Sequence, residues 1–596
     1  MSDPSRIERI DSTPQISVQA AIDRPDLLAS RPWLRYYEPG VPAQLHIPDR
    51  PLTWLLDQAA SRFAGHTAFI YYGTKLTYAQ FSSAANRFAI ALQKLGVQKG
   101  DRIAIALPNI PQYAIAFFGT LRAGAVAVPT NPLYTAREMQ HQLADSGARM
   151  LVMLDTFYPI IRDIRNNTAL EHIIITSPAD YLPPMLRTLY PISQRNAKTL
   201  EAPLTEKELR DDPMLHAMRA LLESHSTKGG IELFHLPVPT RSSDLAVLQY
   251  TGGTTGLSKG AMLTHHNLLA NAMQARYWTA GVREGEEVTL CVSPFFHSYG
   301  LTVGMNFSIL AGATMVLLPR FQAKDVLDAI RRYRPTCFPG IPTMYIAIMR
   351  EAGKRTDNLD SIKYCISGAM ALPAQVQTDF EHITHGKLVE GYGLSEASPV
   401  THCNPLTSDC LNGSIGLPLP NVEAAIIDRS TGDFLPPGEP GELVVRGPNI
   451  MQGYWNREQD TADIFINGWM RTGDIARMDE RGFFFIVDRT KDMIIAGGFN
   501  VYPREVEEIL FQYPGVEEAA VIGVPDAYRG ETVAAFVVLK PDIKPTEQVR
   551  QEIIAFCRDQ LAAYKVPKML EFREQLPKSL VGKVLRRELR PTPNPT

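Results

Sequence analysis

The amino-acid sequence predicts an α/β protein with a largely parallel sheet. Segments with helical spacing, such as 77–95, alternate with short apolar runs at 103–107 and 125–128. This alternation is typical of parallel strands covered by helices. A helix, an Ala-Gly-Ala phrase and a strand also follow one another twice, at 121–129 and 310–319. The repetition indicates two similar sheet-and-helix halves packed together.

The 596 residues are too many for a single hydrophobic core and predict a multidomain protein. A polar leader occupies 1–50, and 51–487 form a large N-terminal domain of the two halves plus a small barrel-like β part. Between about 182 and 243 the hydrophobic periodicity fades, which indicates a linker or insertion. A small α+β C-terminal domain is predicted over 488–596.

Composition and charge exclude several classes of protein. Hydrophobic residues make up 45% of the chain, and the formal charge of −3 favours neither nucleic acid nor bulk anionic membrane as the main partner. The six cysteines form no Cys-x-x-Cys pair and have no histidines at zinc spacing, so we expect buried thiols rather than disulfides or a structural metal. With no apolar leader, the chain is predicted to be cytoplasmic.

An uncharged stretch at 291–319 is long enough to span a bilayer. Pro294, His297, Gly300 and Gly312 divide it, so we expect a loop, a buried helix and a buried strand here instead.

A loop rich in glycine and hydroxyl groups directly follows the apolar run 245–248. Glycine lets backbone N–H groups approach an oxyanion, while hydroxyls and a lysine add donors and charge. A Walker loop has Gly directly before its Lys and Ser or Thr directly after it. Lys259 instead follows Ser258 and precedes Gly260, so a Walker loop is excluded. The loop is therefore a candidate phosphate site, with a surface turn as the alternative. Its residues are Thr251, Gly252, Gly253, Thr254, Thr255, Gly256, Leu257, Ser258, Lys259 and Gly260.

Five sequence phrases follow one another along the chain, at 251–260, 294–300, 391–396, 468–492 and 577–583. In this order they resemble the adenylate-forming superfamily of acyl-CoA synthetases, luciferases and nonribosomal peptide synthetase adenylation domains. The likeness is greatest to bacterial long-chain fatty acyl-CoA synthetases and covers nearly the whole chain. The resemblance implies a ligase that activates a fatty acid with ATP through an acyl-AMP, forms a coenzyme A thioester and releases AMP and pyrophosphate.

The resemblance also assigns residues to ATP and Mg²⁺. Tyr392 would stack on adenine, Asp474 would accept from the ribose hydroxyls, and Arg489 would contact the sugar or the phosphates. Glu396 and Thr254 would ligate Mg²⁺, a role that suits hard oxygen ligands. The implied ATP-binding residues are Thr251, Gly252, Gly253, Thr254, Thr255, Gly256, Ser258, Lys259, Ser367, Gly368, Ala369, Gly391, Tyr392, Gly393, Ser395, Asp474 and Arg489.

The implied catalytic residues are Lys583, His297 and Glu396, with Lys583 bridging the carboxylate and the α-phosphate. Taken alone, His297 could be a core histidine and Lys583 part of a solvated basic tail. The implied CoA-binding residues are Gly497, Gly498 and Phe499, where a hairpin turn is the alternative. The resemblance also implies that the small C-terminal domain is mobile and turns about a hinge at Asp488.

Substrate and acceptor are less determined than the chemistry. The expected partners are a fatty acid, ATP and CoA, with no nucleic acid, and peripheral membrane contact and a homodimer stay open. A medium-chain or aryl acid is the alternative substrate, and a carrier-protein phosphopantetheine is the alternative acceptor. A further alternative, a nucleotide-binding relative without catalysis, is disfavoured because Glu396, Asp474 and Lys583 are all present.

Overall fold

The computed structural model describes residues 31–196, 204–224, 238–251, 258–353, 359–406, 410–489, 492, 494–496, 499–526, 530–578 and 584–590. Within these ranges, helices are too short or too polar to cross a bilayer. All six cysteines carry free thiols, and five of them are buried, as predicted.

The strands are, in chain order, β1 (Thr67–Tyr71), β2 (Thr74–Thr77), β3 (Arg102–Ala106), β4 (Val126–Pro129), β5 (Met150–Leu154), β6 (His172–Thr176), β7 (Leu215–Ala217), β8 (Leu245–Thr251), β9 (Lys259–Thr264), β10 (Val288–Cys291), β11 (Thr314–Leu317), β12 (Tyr364–Ser367), β13 (Lys387–Gly393), β14 (Val400–Cys403), β15 (Leu417–Pro418), β16 (Glu423–Ile427), β17 (Gly441–Arg446), β18 (Phe465–Ile466), β19 (Trp469–Met478), β20 (Phe484–Arg489), β21 (Ile494–Ala496), β22 (Phe499–Val501), β23 (Val516–Asp526), β24 (Gly530–Leu539) and β25 (Met569–Phe572).

The α-helices are α1 (Trp54–Arg62), α2 (Tyr78–Lys94), α3 (Pro111–Arg122), α4 (Ala136–Ser146), α5 (Tyr158–Ile164), α6 (Pro184–Asn196), α7 (Glu206–Asp211), α8 (Met218–Ser224), α9 (His265–Trp278), α10 (Phe307–Leu310), α11 (Ala323–Tyr333), α12 (Pro342–Ala352), α13 (Ala374–Thr384), α14 (Glu458–Ile464), α15 (Pro503–Gln512) and α16 (Glu547–Gln560). A π-helix, Gly300–Asn306, precedes α10.

A seven-stranded sheet, ordered β7-β6-β5-β3-β4-β8-β9, is parallel except for β9, which runs antiparallel to β8. Strand β5 reads Met-Leu-Val-Met-Leu and is buried throughout, as expected where helices cover both faces of a parallel sheet. A second sheet, β10-β11-β1-β2, contains three parallel strands. Isolated bridges at Cys337 connect β10 to β12, which pairs parallel with β13. The predicted α/β class is confirmed.

Strand β13 also pairs antiparallel with β14, and two five-stranded sheets follow. Strands β16 to β20 form an antiparallel five-stranded sheet. Strands β21 to β25 form a mixed five-stranded sheet, in which only β25 runs parallel to its neighbour β24, and α15 and α16 lie beside it. Asp488 pairs with Ile475 in the first of these sheets, whereas Ile494 already belongs to the second. The predicted hinge, Asp488, therefore lies in the last strand of the first sheet, shortly before the second sheet begins.

Candidate active site

The predicted site residues lie at the carboxyl ends of strands from two neighbouring sheets. Thr251 ends β8, Ser367 ends β12 and Gly393 ends β13, while β10 leads into the turn that carries His297. Ligands of open parallel sheets bind outside the carboxyl ends of the strands. The topology thus gathers segments that are far apart in the sequence at one edge.

Side-chain amides fix the turn before His297. Asn109 donates through Nδ2 to the carbonyl of Ser293 (2.9 Å) and accepts at Oδ1 from the backbone N–H of Phe295 (2.8 Å). Gln249 on β8 donates to the carbonyl of Phe296 (3.1 Å). Because both amides are buried, these hydrogen bonds are shielded from water and hold the turn rigidly between the two sheets.

His297 is half-buried, and its orientation is set locally. The backbone N–H of Tyr299 donates to His297 Nδ1 (3.3 Å), so the neutral imidazole carries its proton on Nε2. Ser298 Oγ lies 3.1 Å from Ser395 Oγ and links this turn to the one that carries Glu396. The structure therefore brings the His297 turn and the 391–396 segment together.

The predicted adenine and ribose residues touch each other. Tyr392 donates from its hydroxyl to Asp474 Oδ2 (2.5 Å), and Asp474 is buried on β19. The Tyr392 ring packs edge-on against His402, with ring centroids 5.9 Å apart. Burial lowers the pKa of His402 to about 3, so this imidazole is neutral and acts as packing. Tyr392 remains half-exposed, which leaves ring surface accessible to a base.

Glycine is required where these segments approach most closely. A Cβ on Gly393 would lie 1.9 Å from the carbonyl oxygen of Pro399, and one on Gly368 would lie 2.9 Å from the Tyr299 ring. Real Cβ contacts are never this short, so no other residue fits without moving the backbone. The Tyr299 hydroxyl donates to the carbonyl of Ile366 (2.6 Å) and closes this packed region.

Among the predicted phosphate and metal residues, Lys259 and Glu396 have described side-chain partners. Lys259 Nζ lies 2.5 Å from Asp460 Oδ1, and the carbonyl of Ser258 accepts from His141 Nε2 (3.3 Å). Glu396 is half-buried and accepts at Oε1 from the Tyr454 hydroxyl (2.8 Å). Its Oε2 has no hydrogen-bond partner among the described residues, so it can face a ligand.

The donor set fits Mg²⁺. Among the described side chains, His, Cys, Asp and Glu nowhere gather in a group of three that could hold a metal by themselves. Mg²⁺ is usually bound by one or two carboxylates together with substrate phosphates and water. The single carboxylate of Glu396, which shares the side chain of Tyr454 with Lys259, matches this requirement.

Several predicted residues lie outside the described residues. For Arg489 and Phe499 only the backbone is described, in β20 and β22. Strands β21 and β22 pair antiparallel on either side of Gly497 and Gly498, in keeping with the hairpin alternative. The residues outside the description are Gly252, Gly253, Thr254, Thr255, Gly256, Leu257, Gly497, Gly498 and Lys583.

Asp488, the predicted hinge, is buried and ties together two segments of the C-terminal domain. Its Oδ2 accepts from the backbone N–H of Arg504 (3.1 Å) at the start of α15, and the guanidinium of Arg586 lies 3.8 Å from its Oδ1. Arg586 also donates twice to Glu507 (both 2.8 Å). Burial lowers the pKa of Arg586, but the carboxylates of Glu507, Asp488 and Asp492 raise it by more, so the pKa lies above its usual value.

Sequence reasoning missed the partners of the predicted residues. Tyr454 and Asp460 contact Glu396 and Lys259, yet neither lies in a phrase that carried the resemblance. The only local signal for Tyr454 is its place in the aromatic phrase Gly453-Tyr454-Trp455, which is equally typical of a surface turn.

Comparison with known proteins identifies the family. The model of the AMP-binding enzyme family matches residues 56–455, and that of the AMP-binding enzyme C-terminal domain matches 505–583. The chain belongs to the AMP-binding enzyme family. This AMP-binding enzyme is 46% identical over 561 residues to the long-chain-fatty-acid–CoA ligase of Bacillus subtilis, covering 94% of this chain and 98% of the relative. It is 40% identical to the long-chain-fatty-acid–CoA ligase of Salmonella typhimurium, covering 94% and 97% of the two chains.

Solved structures agree with this assignment. The anthranilate CoA ligase AuaEII, crystallised in complex with anthranoyl-AMP, superimposes with a TM-score of 0.78 at 28% identity, covering 91% of this AMP-binding enzyme and 97% of that chain. The large N-terminal and small C-terminal arrangement is thus shared with a ligase whose bound molecule is an acyl-adenylate.

Proposed function

We propose that this AMP-binding enzyme is an ATP-dependent ligase that converts a long-chain fatty acid to its coenzyme A thioester through an acyl-AMP. The observation that carries the proposal is the 46% identity to a long-chain-fatty-acid–CoA ligase across nearly the full length of both chains. The site supports it, because a nucleotide-sized set of groups lies at the carboxyl ends of β8, β12 and β13.

In the first half-reaction, a fatty-acid carboxylate attacks the α-phosphate and pyrophosphate leaves, so catalysis consists mainly of alignment and neutralisation of charge. We assign adenine to Tyr392, the ribose to Asp474 and the β- and γ-phosphates to the loop that ends at Lys259. Glu396, with Thr254, would hold Mg²⁺, which supplies positive charge to the phosphate oxygens when bound. Lys583 neutralises the carboxylate and α-phosphate as they meet, and His297 borders the carboxylate.

In the second half-reaction, the CoA thiol attacks the acyl-AMP carbonyl and AMP leaves. The adenylating lysine and pantetheine need the same space in turn, so we propose that 488–596 rotate on Asp488 relative to 51–487. The hairpin of β21 and β22, with Gly497, Gly498 and Phe499, would then line the path of pantetheine.

We also propose that the enzyme contacts membranes peripherally through α6, because a long-chain acid partitions into bilayers. In α6, Met185, Leu186 and Leu189 are 71%, 37% and 51% exposed, and Leu189 lies about one turn after the other two. Arg187 on the same helix would favour anionic headgroups.

The test of the catalytic proposal is release of AMP and pyrophosphate with ATP and Mg²⁺ across acids from acetate to oleate and benzoate, with and without CoA. We expect CoA-dependent AMP release that is greatest with oleate. A maximum with benzoate or a medium-chain acid would show that the proposed substrate is wrong. Pyrophosphate release that does not depend on CoA would show that the acceptor is another thiol. No release with any acid would refute a ligase function.

The membrane proposal is tested by co-sedimentation with vesicles of phosphatidylcholine and phosphatidylglycerol. We expect the triple variant Met185→Ser, Leu186→Ser, Leu189→Ser to lose binding, while Leu133→Ser, changed at a residue 59% exposed outside α6, binds as the parent does. Equal binding of parent and triple variant would refute the assignment. If the parent is a dimer in analytical ultracentrifugation and the triple variant is a monomer, this face is instead a contact between two copies of the chain.

A further inference from the structure

Tyr454 lies between the two charged groups that the proposed function assigns to Mg²⁺ and the phosphates. Its hydroxyl donates to Glu396 Oε1 (2.8 Å), and the ammonium of Lys259 lies 5.3 Å from the centroid of its ring. One side chain therefore contacts a carboxylate through its polar end and a cation through its π face.

The backbone around Tyr454 is held by the same elements that carry those two groups. The N–H of Trp455 donates to the carbonyl of Gly260 (2.8 Å) next to Lys259, and the N–H of Met451 donates to the carbonyl of Glu396 (2.8 Å). Tyr454 itself forms an isolated antiparallel bridge with Ala261. The position of Tyr454 is thus fixed relative to both β9 and the Glu396 turn.

The hydroxyl acts as a permanent donor. A tyrosine hydroxyl keeps its proton at neutral pH, so it can donate to Glu396 Oε1 throughout. Held at Oε1, the Glu396 carboxylate keeps Oε2 in one direction. The ammonium of Lys259 contacts both the Tyr454 ring and the carboxylate of Asp460. Phosphate oxygens can replace these two contacts when ATP binds.

We propose that Tyr454 is a positioning residue that fixes the Glu396 carboxylate and the Lys259 ammonium relative to each other and thereby sets the affinity for the Mg²⁺–ATP complex. The proposal rests on the ATP-dependent function proposed above. Side chains that orient a metal ligand without touching the metal typically change metal affinity by roughly 10–100-fold when removed. The hydroxyl and the ring make separable contributions: the hydroxyl contacts the metal ligand Glu396, whereas the ring contacts Lys259 and packs against the core.

The experiment is calorimetric titration of ATP into the full chain without acid or CoA, once with Mg²⁺ and once with EDTA. Tyr454→Phe removes the hydroxyl and keeps the ring, so we expect binding of ATP with Mg²⁺ to weaken about tenfold and binding in EDTA to stay unchanged. Tyr454→Leu removes both, so binding should weaken under both conditions. Tyr277→Phe, at an exposed tyrosine on α9, is the matched control and should bind as the parent does.

The outcomes separate this inference from the function on which it rests. If the parent binds Mg²⁺–ATP and Tyr454→Phe binds it equally well, the positioning role is wrong and the proposed function stands. Equal weakening of Tyr454→Phe with Mg²⁺ and with EDTA would also overturn it, because the loss would then be structural rather than tied to the metal. If the parent does not bind ATP at all, both the proposed function and this inference are wrong.

Discussion

Glu390, on β13 directly before Gly391, should make the stability of the protein depend on pH. Its side chain is buried, its Oε2 accepts from the backbone N–H of Leu372 (2.9 Å), and its Oε1 lies 3.9 Å from the guanidinium of Arg504 on α15. Burial raises the pKa of Glu390 from 4.5 to about 7, although Arg504 and the Leu372 N–H lower it and Glu508 raises it further. The perturbation is Glu390→Gln, which removes the titration and keeps the shape.

The sign follows from the direction of the shift. The folded protein holds the Glu390 proton more tightly than the unfolded chain, so this contribution to stability is complete below about pH 4.5 and is lost as the pH rises through about 7. A shift from 4.5 to about 7 corresponds to about 3 kcal/mol in total. About 2 kcal/mol of it falls between about pH 5.5 and pH 8.

The assay is urea denaturation followed by tryptophan fluorescence at these two pH values. We expect the free energy of unfolding of the parent to fall by about 2 kcal/mol more than that of Glu390→Gln between about pH 5.5 and pH 8. Glu574→Gln, at an exposed glutamate, is the matched control and should keep the slope of the parent. The same slope in the parent and in Glu390→Gln would refute the reasoning.

Three further predictions concern the proposed chemistry. Lys583→Ala should lower pyrophosphate release about 100-fold or more yet convert supplied acyl-AMP to the thioester at nearly the parental rate; equal loss of both steps would remove Lys583 from adenylation. Asp488→Pro should slow thioester formation about tenfold more than adenylation, because proline restricts the proposed rotation, and equal slowing of both half-reactions would count against the hinge. Gly393→Ala should raise the KM for ATP about tenfold, since its methyl group would lie 1.9 Å from the carbonyl of Pro399; an unchanged KM in steady-state kinetics would contradict this.

The elements that the sequence predicted well are those with strong local signals. The segment 77–95 was predicted as a helix and forms α2, Tyr78–Lys94, where Thr77 caps the first turn and Gln80 completes the capping box. The run 103–107 forms β3 one residue earlier, Arg102–Ala106. In both segments the periodicity of apolar residues matches the surface that is buried, so tertiary packing reinforces the local preference.

What the sequence could not predict depends on distant contacts or on subtle backbone geometry. The uncharged stretch 291–319 contains the predicted loop, helix and strand, but the helix begins as a π-helix, Gly300–Asn306, whose wider turn has no recognisable pattern of residue types. The Tyr454 and Glu396 side chains are separated by 58 residues, and they meet only because 451–455 lies beside β9. The residue types that bind phosphate were visible in the sequence, whereas the side chains that orient them were not.

The join between β8 and β9 has a consequence for how the phosphate loop can change. In a Walker loop the chain passes from a strand into a helix, but here it returns along an antiparallel neighbour, so that Thr251 pairs directly with Lys259. The cross-strand pairs from Leu245↔Thr264 onward already bring the ends of the loop together. The pairing of β8 with β9, rather than contacts within the loop, therefore offsets the entropic cost of closing it. The loop between those ends can therefore change in sequence and in length during evolution with little loss of fold stability. Selection on this loop then acts mainly through its effect on nucleotide binding.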